Sequence, residues 1–148
     1  MEKILCSACL LGVNCCYDGE NRLNSKVYDL TRKYILIPVC PEQLGGLPTP
    51  RKPAGIYGSV SCGIPLVLSV GDGEDLTKHF IKGAEEVLTL AKRLEIKKAI
   101  LKQKSPSCGC GKTWQLDDKY ENHVVEGDGV TTQLLKIQGI SVITEEDL

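Results

Sequence analysis

Aromatic side chains are scarce in this chain: its 148 residues include five Tyr, one Trp and one Phe. A core of stacked rings is excluded, so the interior has to be assembled from Ile, Leu, Val and Ala, a supply that favours sheets covered by helices. Histidine is limited to His79 and His123. Neither sits in a cysteine loop, and proton transfer needs hydrogen-bond reach, so both are expected to lie outside the chemistry. An excess of one charge is missing too. The formal net charge is −1, with Lys and Arg scattered. That argues against an extended nucleic-acid surface held by phosphate neutralisation, while leaving room for one small phosphorylated ligand. The apolar stretch in "MEKILCSACLLG" is too short to cross a bilayer, is broken by Cys and Ser, and lacks a basic leader region. The expectation is a soluble, cytoplasmic protein with no membrane partner. Internal repeats and low-complexity linkers are likewise absent, and 148 residues is an ordinary size for a single domain, taken as 1–148.

Cysteine is what the chain has in plenty. There are eight, and an even count first raises a secreted disulfide framework. The absence of a leader, a length sufficient for a self-supporting core, and regular apolar segments between the cysteine loops favour metal or catalytic use instead.

Residues 3–6, "KILC", read as a short buried strand, followed by a loop rich in Cys, Gly and Asn. "SKVYDLTRKY" has a Ser start signal and apolar residues at helical spacing: Val27, Leu30 and Tyr34. "ILIPVC" is strand-like and stops in the Pro and Gly loop "CPEQLGGLPTPRKP". "PLVLSV" is a further apolar run, suited to an edge strand or hairpin. The turn "GDGEDLT" then supplies an Asp or Thr cap for a long helix over about 75–95, with Phe80, Ala84, Val87, Leu88, Ala91 and Leu94 on one face. "KKAILKQ" is another strand. After "SPSCGCGKTW" and a polar stretch, "GDGVTTQLLKIQG" reads as a short amphipathic helix with a Gly stop, and "ISVIT" as a last strand.

This order predicts an α/β fold in a single domain. Its sheet is mainly parallel with right-handed crossovers and helices on both faces, a Rossmann-like three-layer arrangement with a possible extra edge hairpin. In such a sheet the strand-to-helix loops emerge on one edge, where open α/β folds bind ligands. Cys6 and Cys9 follow the first strand, Cys40 ends the second, and Cys108 and Cys110 follow the third major one, so residues distant in sequence are expected to converge.

The spacing leaves several uses open. Cys6-x2-Cys9 and Cys108-x-Cys110 suggest structural zinc, but zinc ribbons place their two knuckles about fifteen to twenty residues apart, and here they lie a whole chain apart. Thiolates also select iron–sulfur clusters, and Cys40-Pro41 echoes the Cys-Pro that ends bacterial ferredoxin motifs; Pro41 equally suits a strand terminator. "GCGKT" is not a phosphate loop, because the glycine required five residues before Gly-Lys-Thr is Pro106. Lys112 is expected on the surface.

The combination "SACLLGVNCCYDG", "VCPEQLGGLPTPR", "LKQKSPSCG" and "GDGVTTQLL…GISVITEE" resembles the TudS-type thiouracil desulfidases, formerly a family of unknown function, in the same order over nearly the whole chain and in the short form. The resemblance implies a [4Fe–4S] cluster held by three cysteines, with one iron open to the sulfur of a thiolated pyrimidine. Carried onto matching positions, the ligands are Cys9, Cys40 and Cys108, and Glu42 and Ser105 match the family's catalytic groups. The implied reaction is non-redox hydrolysis of 4-thiouracil or 4-thio-UMP to uracil or UMP and hydrogen sulfide. Family members commonly carry "CRYDG" or "VRYDG" where this chain has "CCYDG", so Cys16 stands at an arginine position. The resemblance assigns no cluster role to Cys6, Cys15, Cys62 or Cys110. Cys6 suits a small buried strand residue and Cys62 a loop or core thiol.

Glu42, two residues after a ligand, suits a general base or proton shuttle, and its bland role is a loop carboxylate or cap. Ser105 suits a substrate or water hydrogen bond, and equally a turn. For a nucleotide substrate, the start of "GDGVTT" offers backbone N–H groups and the Thr131 and Thr132 hydroxyls to a phosphate, with Asp128 as a helix cap the competing reading. The rival to an enzyme is a non-catalytic module binding zinc or a redox cluster.

Overall fold

The computed structural model describes residues 1–58 and 65–148; Cys62 lies outside the described residues. Four strands, β1 (Lys3–Ser7), β2 (Ile35–Val39), β5 (Lys98–Leu101) and β8 (Ser141–Thr144), form an all-parallel sheet in the order β2-β1-β5-β8. Side chains alternate across it as the pleat requires. Leu5, Val39, Ala99 and Leu101 point to one face, into a cluster with Val87, Ala91 and Leu135 of the helices α3 (Thr77–Arg93) and α4 (Val130–Ile137). Ile4, Cys6 and Ile100 point to the other, against Val27 of α1 (Ser25–Asp29). Helices on both faces of a parallel sheet are the expected layering.

A second sheet was not legible in full. β3 (Ala54–Tyr57) and β4 (Leu66–Ser69) make an antiparallel hairpin, β6 (Lys112–Leu116) and β7 (Asn122–Glu126) make another, and β3 joins β6 in parallel, giving the order β4-β3-β6-β7. The run "PLVLSV" does enter a hairpin, as β4. The stretch expected to be merely polar folds as β6 and β7.

α3 ties the two sheets together. Phe80 and Ala84 in its first half pack with Ala54, Ile56 and Val67 of the second sheet, while Val87 and Ala91 in its second half pack under the parallel one. Each such buried Val, Ile or Phe side chain contributes about 1.5–3 kcal/mol, and each alanine methyl less. α4 bridges likewise, with Val130 toward the second sheet and Leu135 toward the first.

Three helix starts differ from expectation. α1 is capped by Asn24, whose side-chain oxygen accepts from Val27 N at 3.1 Å, rather than by Ser25, and it passes into a 3-10 turn at Leu30–Arg32. At α3, Asp75 accepts from Thr77 N, whereas the Thr77 hydroxyl accepts from Val67 N and so anchors β4. Within the loop expected after β2, Pro41–Leu44 forms a helical turn, α2, with Pro at its first position, where no N–H is needed. α2 lies directly on α3: a Cβ on Gly83 would overlap the Pro41 carbonyl, and one on Gly45 the His79 carbonyl. His79 Nδ1 bonds Gly45 O at 2.8 Å, which ties α3 to the end of α2.

Candidate functional site

The strand order of the parallel sheet reverses between β1 and β5, since the chain leaves β1 toward β2 on one side and later fills β5 and β8 on the other. A crevice opens at the carboxyl ends of strands flanking such a point. Here it is a cavity of about 580 Å³, with the second sheet as its far wall. Ser7 enters it at the end of β1 and Cys9 just after it, Cys40 and Glu42 after β2, and Lys102, Lys104, Ser105 and Cys108 after β5. Ala54, Trp114 and Asn122 close it from the second sheet. All five residues singled out in the sequence, Cys9, Cys40, Cys108, Glu42 and Ser105, therefore line one cavity.

Each thiol is held by its own local structure. Cys9 lies in the 3-10 turn Ala8–Leu11 that ends β1. Cys40 is the last residue before α2, and its thiol donates to the Cys15 carbonyl at 3.7 Å. Cys108 sits in a turn closed by Ser105, whose hydroxyl oxygen accepts from Ser107 N and Cys108 N, both at 3.1 Å. The turn role of Ser105 is thus realised in the fold, and its O–H proton has no recorded acceptor among the described residues.

The "GDGVTT" segment serves the Cys108 turn rather than a phosphate. Gly129 N, Val130 N and Thr131 N donate to the carbonyls of Gly109, Pro106 and Ser107 at 2.8–2.9 Å. The Thr132 hydroxyl donates to Cys108 O, and Thr131 bonds the Ser107 hydroxyl. A Cβ on Gly129 would overlap the Ser107 backbone, so the contact requires glycine. Asp128 does not cap the helix either; its carboxylate accepts from Gly111 N and pairs with Lys136.

Burial pushes the Cys108 thiol up to about 12, and a hydrogen bond with Cys15, followed by burial, raises Cys40 well above the ordinary thiol range. The Cys15 thiol has contacts with both Cys40 and Cys9; the former pulls its pKa down, but Cys9 and burial bring it to about 11. These thiols are protonated at neutral pH unless a metal displaces the proton, which couples metal binding to proton release.

The cavity's donors are soft thiols, a donor type that fits an iron–sulfur cluster. A single tetrahedral zinc, with Zn–S near 2.3 Å, gathers its sulfurs to within about 3.8 Å of one another. Among the described residues, the only set of three or more ligating groups whose donor atoms lie mutually within 4.8 Å is Asp117, Glu121 and His123, a partly exposed group at the β6–β7 turn. Cys9, Cys40 and Cys108 do not form such a set, so they are not gathered around the position of a single tetrahedral ion.

Other cysteines separate clearly. Cys6 is a fully buried strand residue whose pKa burial raises to about 12. Cys110 turns away from the cavity, with its thiol toward Val142 O at 3.6 Å. Lys112 is exposed and pairs with Glu146 at 3.1 Å. Cys15 and Cys16, in contrast, line the cavity. Sequence reasoning missed Cys15 and, more consequentially, Arg51, which binds Glu42 at 3.1 Å. The arginine in "PTPRKP" was visible as a lone cation in a Pro loop, with nothing to say what it faces. No helix among the described residues is long and apolar enough to cross a membrane.

Comparison with known proteins accords with this geometry. A family model described as 2-thiouracil desulfurase matches residues 4–147. The Bacillus subtilis (strain 168) protein described as uncharacterized protein YbbK is 36% identical over 148 residues, spanning 98% of this chain and 97% of its own. A solved structure of a [4Fe–4S]-dependent thiouracil desulfidase, TudS, superposes with a TM-score of 0.86 at 39% identity, over 100% of this chain and 93% of that one.

Proposed function

The chain belongs to the 2-thiouracil desulfurase family, and from that premise we propose that it hydrolyses 4-thiouracil or 4-thio-UMP to uracil or UMP plus hydrogen sulfide. In this reading Cys9, Cys40 and Cys108 hold a [4Fe–4S] cluster, with three thiolates leaving one iron open. The observation that carries it is the arrival of these three thiols, from three separate strand ends, at one cavity that Glu42 also lines. When bound, the cluster supplies a Lewis acid toward sulfur, polarising the thiocarbonyl without net electron transfer.

The remaining work falls to the protein's own groups. Glu42 lies in the first turn of α2, its side chain 18% exposed, so it keeps contact with the cavity while being held in place. It takes a proton from the attacking water and returns one to the pyrimidine ring or the departing sulfur. Ser105 accepts two backbone N–H bonds through its oxygen and keeps its own proton to donate, which suits a hydrogen bond to the pyrimidine or to water. Ala54, Pro53 and Trp114 give the cavity an apolar wall against which a flat ring packs. Lys102 and Lys104 line the same cavity and offer cations to a phosphorylated substrate.

The test is made on anaerobically reconstituted protein. Iron and acid-labile sulfide should match one [4Fe–4S] cluster per chain, and the same sample should release sulfide from 4-thiouracil or 4-thio-UMP as the thiocarbonyl absorbance falls. No turnover of either compound at full cluster occupancy overturns the reading.

A further inference from the structure

Arg51 is the buried cation of the cavity wall, with a side chain only 4% exposed. Its guanidinium is fully engaged. Nε donates to Glu42 Oε1 at 3.1 Å, Nη2 to the Cys15 carbonyl at 2.8 Å, and Nη1 to Thr49 Oγ1 at 3.0 Å and Pro48 O at 3.3 Å. Nη2 also lies 4.0 Å from Cys40 Sγ. A planar fork with five fixed donors can join three chain segments in this way, whereas the single ammonium of lysine cannot.

The engagement is asymmetric at Glu42. Oε1 is taken by Arg51, whereas Oε2 has no hydrogen bond among the described residues and is not one of the sealed, partnerless polar atoms. Oε2 is the oxygen left to the cavity.

Resting on the desulfidase reading, we propose that Arg51 is the positioning residue of this site: its fork turns one Glu42 oxygen to the substrate, and its charge stands fixed beside the Cys40 sulfur. The two effects are separable by substitution. Lysine keeps the charge and loses the fork; glutamine loses the charge.

The experiment compares anaerobically reconstituted wild type, R51K, R51Q, E42Q and E42Q/R51Q at matched iron content, with 4-thiouracil as the probe substrate. R51Q should lower kcat per cluster by about 100-fold, the scale of a lost proton-transfer group, with KM changed by no more than about threefold, since positioning acts on the transition state. R51K should also lose kcat. In the E42Q background R51Q should cost at most about twofold more, because residues acting through one another are not additive. Removing the charge should shift the cluster's reduction midpoint to a more negative potential in R51Q, with R51K staying near wild type.

Equal losses from R51Q in the wild-type and E42Q backgrounds overturn the positioning of Glu42. Wild-type kcat per cluster with only a lowered Tm makes Arg51 a loop clamp and overturns it as well. Where R51Q holds no iron, R51K decides alone: kcat must fall with the midpoint unmoved. A wild type that carries a full cluster but releases no sulfide defeats the desulfidase reading by itself, and the midpoint series still decides whether the Arg51 charge acts at Cys40.

Discussion

Arg51 and Lys52 are adjacent in sequence, and each binds carboxylates, yet they live in different media. Arg51 is buried in the cavity wall and joins Glu42 to the first cysteine loop. Lys52 is about half exposed and reaches Asp72 at 2.7 Å and Glu74 at 2.8 Å on the surface turn after β4. In water the second pair is screened and its long side chain loses entropy, so it contributes little. Away from water the first pair is strong, but its value lies in orientation: a buried ion pair is costly to assemble and costlier to leave half-made. One backbone step thus separates a solubilising contact from a piece of the site.

Substitutions can break or sharpen this contrast. Glu42→Gln should reduce kcat by about 100- to 10,000-fold with the cluster retained; steady-state rates normalised to iron measure it, and loss of iron instead would make Glu42 structural. Arg51→Met should strand the Glu42 charge and cost about 3 kcal/mol in denaturant unfolding, the low end for a buried pair because Glu42 keeps some access to water. Gly83→Ala should cost about 1–3 kcal/mol by forcing α2 off α3, and the displacement should reach activity through Glu42; an unchanged kcat would mean that α2 tolerates the shift. On the exposed side, Lys52→Ala should leave Tm and activity close to wild type.

The surface pair also has a pH signature. Lys52 first, and then the Ser69 hydroxyl, hold the Asp72 carboxyl down to about 2. A carboxyl lowered on folding contributes fully above its unfolded value, near 3.8, and loses that contribution as pH falls through about 2. Asp72→Asn should therefore give a small Tm difference at pH 5 that closes between pH 4 and pH 2 and shrinks in high salt. A difference that persists at pH 2 would assign it to something other than charge.

How much of this was readable in the sequence follows from how local each signal is. β1, β2, β5 and β8 are apolar runs, and α3 carries Phe80, Ala84, Val87 and Ala91 at helical spacing, so period and composition expose them. A parallel sheet then brings Cys9, Cys40 and Cys108 to one edge without further information. β7 gives no such signal: "NHVVE" is an edge strand with no buried residue, and Val124 is 43% exposed. α2 is a single turn flanked by prolines and glycines, defined by its seat on Gly83. The Glu42–Arg51 pair depends on a loop doubling back, and no periodicity records which cation meets which acid. The same holds for "GDGVTT", whose donors suit a phosphate until the neighbouring turn is seen to occupy them.

That last contact bears on the order in which the protein is made. The turn that presents Cys108 is closed by N–H groups and hydroxyls of residues 129–132, which leave the ribosome after Cys9, Cys40 and Cys108 itself. A nascent chain that ends before residue 129 therefore carries all three thiols while the third still lacks its seat. On the desulfidase reading, a cluster delivered before residues 129–132 have emerged and docked would meet a site whose third thiol is not yet held.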